Sequence, residues 1–247
     1  MKLNRLAKYL LTTFLISWIA WGALVVLINT GVTTFVSPLG FIIFGIGGLG
    51  PTIAAIAVQE KRTPKSIAKY VFSGKHRAVP IVLLFCVLLA ATIYLSSREL
   101  LPEMLLYLFP VYWLAMTVIG GGLEELGWRG VMQPALEKSL PFPVAVFLTS
   151  VAWSGWHLPL WFVAGSSQQA FPFASFAAFG VVLSFAMAAI HKKTKCVLYS
   201  CVFHGFSNAL MSYFIVGVNW FIALGSIVII AVSLLIWYTE KDRGAGL

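Results

Sequence analysis

Apolar runs long enough to cross a bilayer recur along this chain, and they decide its class before any single residue is considered. Measured against a span of roughly 20 residues, candidates lie near Tyr9 to Asn29, Pro38 to Gln59, Val79 to Leu95 and Met104 to Gly122. Four more lie near Phe142 to Val163, Phe173 to Ile190, Cys196 to Val216 and Trp220 to Tyr238. With 60% of the residues apolar and 10% charged, the chain holds more apolar surface than a soluble domain could bury. The expectation is an all-α, polytopic membrane protein with about eight transmembrane helices, residues 1–247 forming a single integral membrane domain. The first run is too long for a removable signal peptide and no small-residue cleavage site follows it, so it is read as retained.

A net charge of +9 could suggest a nucleic-acid partner, but the distribution of the cations argues against one. Lys2, Arg5 and Lys8 precede the first run, and Lys61, Arg62, Lys65, Lys69, Lys75 and Arg77 fill the first long polar loop. Lys192, Lys193 and Lys195 fill a later one, and Lys241 and Arg243 sit near the C-terminal end. Eight spans with both termini cytoplasmic put all of these on one side and leave Arg98 as the basic residue of an external loop; seven would break the pattern. Within the basic stretch, Ile67, Tyr70, Val71 and Phe72 among lysines fit either a short amphipathic helix on the membrane surface or a solvated linker. Gly45, Gly47, Gly48, Gly50 and Pro51 predict close packing and a kink in the second span. Cys86, Cys196 and Cys201 lie in or beside apolar runs without C-x-x-C spacing, so they are read as packing residues, and a metal would have to be held by His, Glu and Asn. No internal repeat is visible, which disfavours a transporter built on duplicated halves.

Three polar clusters interrupt the apolar sequence: Glu124-Glu125 with Arg129, His157, and His204 with Asn208. Ionisable groups at membrane depth cost on the order of 2.5 kcal/mol or more each, so they mark function by default. On a regular helix Glu125 and Arg129 share a face and can pair, whereas Glu124 points about 100° away, on the face of Trp128. One glutamate is then neutralised, and the other is available as a general base. His204 and Asn208, four apart, share a face from which both can donate to an oxygen or serve a metal. Pro159 removes a helix hydrogen bond to Gly155, so the backbone beside His157 should bend or unwind. A helical hairpin turning around Ser139 to Phe142 would bring Glu124 and His157 level, each arm running about 21 Å, with the site open towards the cytoplasm.

These residues resemble a known family. Glu124-Glu125-Leu126-Gly127-Trp128-Arg129, then Trp153-Ser154-Gly155-Trp156-His157, then His204-Gly205-Phe206-Ser207-Asn208 agree in order, spacing and membrane placement with the CAAX protease and bacteriocin-processing family, called CPBP or Abi, which includes the type II CAAX prenyl endopeptidase. The motif-bearing core runs from about Met104 to Asn208, and Gly50-Pro51 looks like the Gly-Pro common in the family. Trp153 stands where the family most often carries Phe. The resemblance implies an eight-helix intramembrane endopeptidase with a conical cavity that admits a substrate tail from the cytosolic side. It implies that Glu124 and His157 activate the attacking water, that His204 and Asn208 stabilise the oxyanion, and that Glu125 and Arg129 hold the first glutamate in place. Family members are named metalloproteases and are also described as glutamate-dependent without a metal. A zinc ion would draw on Glu124, His157 and His204, but there is no H-E-x-x-H helix, and a water held by Glu124 and His157 is the preferred expectation. No organic cofactor is expected.

The expected partners are the lipid bilayer and a peptide or membrane-protein substrate, with a lipidated tail as one option. The compact sequence looks prokaryotic, where a peptide precursor or membrane-protein terminus is at least as good a candidate as a prenylated tail. The alternative is a non-catalytic membrane protein, either a bacteriocin self-immunity factor or an ion- or proton-coupled transporter, since Glu, His and Asn also build proton and ion pathways. Asn208 one turn after His204 favours the enzyme, because a proton relay has little use for it.

Overall fold

The computed structural model describes residues 3–101 and 105–244; Lys2 and Met104 lie outside them. About 79% of the chain is helical, which agrees with the all-α class. The sheet among the described residues is one antiparallel pair, β1 (Ser97–Leu100) with β2 (Phe214–Val216), in which Ser97 faces Val216 and Leu100 faces Phe214. The chain falls into two compact units, Met1–Arg62 with Leu126–Val181, and Thr63–Glu125 with Val182–Leu247.

The first unit is organised by α1 (Leu3–Asn29), whose buried stripe of Tyr9, Thr13, Ser17, Trp21 and Leu24 follows helical spacing. This stripe receives α2 (Pro38–Gly48) and α3 (Gly50–Ala57), which meet at Leu49 with a bend of 42°. The cause of the bend is local. Pro51 has no N–H for the carbonyl of Gly47, and that carbonyl accepts the Ser17 hydroxyl at 2.6 Å instead. Glycine is required on both sides of the break, since a Cβ at Gly47 would overlap the Trp21 indole and one at Gly50 would overlap the Ser17 hydroxyl. Trp21 donates its indole N–H to the Phe44 carbonyl at 3.0 Å, which locks the contact. The expected kink is therefore present.

Downstream, the chain winds irregularly: a 3-10 turn (Gly122–Glu124), a single turn α7 (Glu125–Gly127), a π-helical turn (Trp128–Met132) and α8 (Gln133–Leu136). The regular helix expected from Glu124 onward is replaced because Pro134 cannot donate to Gly130, and the widened turn absorbs the missing bond. Next, α9 (Phe142–His157) ends at the catalytic candidate itself, followed by a 3-10 stretch (Leu158–Phe162) that contains Pro159. The Gly155 carbonyl that Pro159 would have left open is taken by the N–H of Leu158.

In the second unit, α4 (Pro64–Phe72) resolves the two readings of the basic loop in favour of a helix, capped by the Thr63 hydroxyl. The helical stretch from Pro64 to Ala78 makes an angle of 84° with α5 (Pro80–Ser96). Helix α5 packs against α11 (Val197–Met211) and α12 (Trp220–Gly244), while α6 (Phe109–Val118) lies against α11. That second contact is close because a Cβ at Gly205 would overlap Thr117, and it is fastened by Trp113, whose indole N–H donates to the Val202 carbonyl at 2.8 Å. Helix α10 (Phe173–Thr194) contributes to both units along its length.

The chain is a multi-pass membrane protein by its helices. Among the described residues, four helices are long and apolar enough to cross a membrane, or up to six if each bent pair counts as one span. Two of the expected spans fall short: α9 has 16 residues and α11 has 15, about 24 and 22 Å against a hydrocarbon core of about 30 Å. Ten of the fifteen residues of α11 are buried, so it is an interior helix in place of a lipid-facing one. All three cysteines are free and buried, as packing residues are.

Leucine at position 47 must displace the Trp21 indole, whereas position 45 has open space around a Cβ. Gly47→Leu is expected to cost about 1–3 kcal/mol of stability and Gly45→Leu within about 0.5 kcal/mol, measured by unfolding in detergent. Equal stability of the two variants would show that α2 does not rest on Trp21.

Candidate active site

In the second unit the site is assembled around three glycines. Helix α6 stops at Val118, and Gly121 adopts φ +113°, a conformation that L side chains rarely reach. The turn that follows is closed by the N–H of Glu124 donating to the Gly121 carbonyl at 3.0 Å. Gly122 fits because no Cβ intrudes on Thr117 and Cys201. The freed carbonyl of Gly120 accepts the Asn208 side-chain amide at 2.7 Å, which ties this loop to α11.

Helix α11 supplies the other side. His204 and Asn208 flank Gly205 on the surface pressed towards α6, as their spacing of four predicts. His204 Nδ1 lies 2.9 Å from Glu125 Oε1, and both side chains are buried, at 2% and 0% exposure. Helical spacing bears on Glu125 and Arg129 alone; the contact of Glu125 with His204, across 79 positions, is not legible in it. The carboxylate accepts from Nδ1–H, which turns Nε2 of His204 towards Gly121.

The consequence is a convergence. A Cβ built on Gly121 would lie 2.9 Å from Asn208 Nδ2, 3.1 Å from Glu124 Oε1 and 3.5 Å from His204 Nε2. A carboxylate, an imidazole nitrogen and an amide therefore surround one small space that only a glycine leaves open. Asn208 gives one amide hydrogen to Gly120 and keeps a second for a ligand. Glu124 is 6% exposed and Asn208 is half-buried.

The first unit holds the remaining candidates. His157 closes α9, where its Nδ1 lies 2.8 Å from the Trp153 carbonyl. A carbonyl can only accept, so Nδ1 carries the hydrogen and Nε2 is the nitrogen with the lone pair. Aromatic rings cage the imidazole, with centroids of Trp156 at 4.5 Å, Trp153 at 5.0 Å, Phe176 at 5.0 Å and Trp21 at 6.4 Å. Trp153 thus both orients His157 through its carbonyl and packs against it. Arg129 is fully buried on the π-helical turn.

The donors that a zinc ion would draw on, Glu124, His157 and His204, divide between the two units. Among the described residues, neither unit holds three His, Cys, Asp or Glu side chains grouped to take a metal ion. The sequence reading also missed Gly121 as a site residue. Its signal was the run Gly120-Gly121-Gly122 directly before the glutamates, which is a poor way to continue a helix and a good way to end one.

No curated protein matches the chain. A family model does: residues 106–210 match the type II CAAX prenyl endopeptidase Rce1-like family. The matched stretch contains Glu124, Glu125, Arg129, Trp153, His157, His204 and Asn208, all the residues singled out above. The match is a similarity over residues 106–210, and it names the same family that the three motifs resemble.

Proposed function

We propose that this protein is an intramembrane endopeptidase that hydrolyses a peptide bond near a C-terminal or membrane-inserted segment of its substrate. The observation that carries this reading is the convergence of Glu124, His204 and Asn208 on the space at Gly121. Hydrolysis needs a base beside a water and donors aimed at the developing oxyanion, in a site largely closed to solvent. Glu124 takes a proton from the attacking water as its oxygen bonds to the scissile carbonyl carbon. His157 joins this step on the strength of the family resemblance and of an Nε2 that carries a lone pair. The second amide hydrogen of Asn208 and the Nε2–H of a protonated His204 meet the oxyanion, with the charge of the imidazolium balanced by Glu125. The proton held by Glu124 then passes to the leaving nitrogen as the C–N bond breaks, releasing an amine and a carboxylic acid, which then gives up its remaining proton to the amine or to solvent. No step is routed through a metal.

The family description makes a CAAX-type tail the first substrate to try, and peptide precursors or membrane-protein termini the next. We further infer a prokaryotic cell membrane and cytoplasmic termini, which the clustering of Lys and Arg in alternate loops supports.

The decisive experiment maps peptide termini by mass spectrometry in membranes of cells expressing either the wild type or Glu124→Gln at matched levels. Termini confined to the wild type are expected, with a loss of about 10²–10⁴ in rate for the variant. Indistinguishable profiles would move the reading to a non-catalytic immunity or transport role.

Gly121→Ala should abolish cleavage as fully as Glu124→Gln, because its methyl group fills the space where the reacting atoms belong. Retained cleavage in Gly121→Ala would place the reaction elsewhere. For the buried pair, Glu125→Gln and His204→Gln should each lower cleavage by about 10²–10³, and the double variant should fall little further. Additive losses would mean that Glu125 does not act through His204.

A further inference from the structure

The helix α4 takes no part in the site, yet its geometry is specific. The helical stretch Pro64–Ala78 lies at 84° to the apolar helix α5, which sets it across the axis of α5 at the end where α5 begins. Lys65 and Lys69, four apart, share one arc and are exposed, while Ile67, Tyr70 and Val71 occupy the opposite arc and are partly covered. Phe72 closes the helix at 54% exposure. The turn after it adds exposed Lys75 and Arg77. This basic turn is held in place: the N–H of Lys75 donates to the Thr194 carbonyl, the Cys196 thiol reaches the Val71 carbonyl at 3.5 Å, and His76 Nδ1 lies 2.9 Å from the Tyr199 hydroxyl. Gly74 makes the approach feasible, since a Cβ there would overlap Cys196.

We propose that α4 and the turn to Arg77 form an in-plane anchor for the anionic lipid headgroups of the leaflet on that side. Four exposed cations and an exposed aromatic side chain on one short stretch match such a leaflet in both charge and polarity. A soluble acidic partner would give Phe72 no reason to remain exposed. The inference rests on membrane placement and is independent of the proteolytic reading.

The test uses the full-length protein in mild detergent, offered mixtures of phosphatidylglycerol and phosphatidylcholine, with retained lipid counted by native mass spectrometry. Each Lys or Arg near an anionic surface is worth about five-fold in partitioning, so a preference of about ten-fold or more for phosphatidylglycerol is expected. The combined variant Lys65→Gln, Lys69→Gln, Lys75→Gln, Arg77→Gln should bring the ratio close to one. Lys65→Arg, Lys69→Arg, Lys75→Arg should keep it, which separates charge from any effect on folding. Excess inorganic phosphate should leave the preference in place. Equal retention of the two lipids by the wild type, an unchanged ratio in the glutamine variant, or displacement by inorganic phosphate would each overturn the proposal.

Discussion

The contact on which the candidate site depends is the buried one between Glu125 and His204. Removing a carboxylate and an imidazole from water costs several kcal/mol per charged group, and the cost is met only where geometry is good and partners are fixed. Here the geometry is set by backbone approach. Gly205 on α11 and Gly122 on the loop after α6 both sit against Thr117, where any larger residue would hold the segments apart. Small residues at these two points let the carboxylate reach Nδ1, and the bond to Nδ1 aims Nε2 at Gly121. Packing, ion pairing and the orientation of the reactive nitrogen are therefore one arrangement seen at three levels.

The same constraint explains which helices carry the polar groups. In the apolar window of the span Arg5–Asn29 only 22% of residues are buried, and in that of Trp220–Glu240 only 11%, so these helices face lipid over most of their surface. Polar side chains placed there would be exposed to hydrocarbon at about 2.5–3.5 kcal/mol for each charge. His204 and His157 lie instead on α11 and α9, which are short and largely enclosed by protein. His157 is the last residue of its helix, and its Nδ1 is engaged by the carbonyl one turn back.

What the sequence disclosed follows from the range of the interactions involved. The spacing of His204 and Asn208, the break at Gly47 to Pro51 and the inward polar clusters are local patterns, and each appears in the fold. The alternative between a linker and a helix at Lys65 to Phe72 was open because composition alone did not include the Thr63 cap. Hydropathy measures apolar length without distinguishing lipid from protein as the surrounding medium, and α9 and α11 bury more than half of their residues in protein. The winding around the glutamates was not legible because a helical wheel presumes a constant turn, whereas Gly121 and Pro134 accompany a 3-10 turn that ends at Glu124 and a π turn that begins at Trp128. The contact of Glu125 with His204 joins residues 79 positions apart, beyond any local rule.

Depth along α11 links the site to the membrane surface. Helix α4 packs near the start of α11, and His204 lies seven residues beyond Val197, about 10 Å along the axis. Within the second unit, the converging groups at Gly121 therefore sit about two helical turns along α11 from its contact with α4. That is deep enough for the peptide bond to leave bulk water and for hydrogen bonds from Asn208 and His204 to gain strength, yet shallow enough for an extended chain of about three residues to reach from the surface. A substrate segment attached to the membrane by its own apolar portion would present its polar terminus in this layer. On the proposed reading, a peptide bond close to a membrane-held end would suit both the groups at Gly121 and their distance from α4.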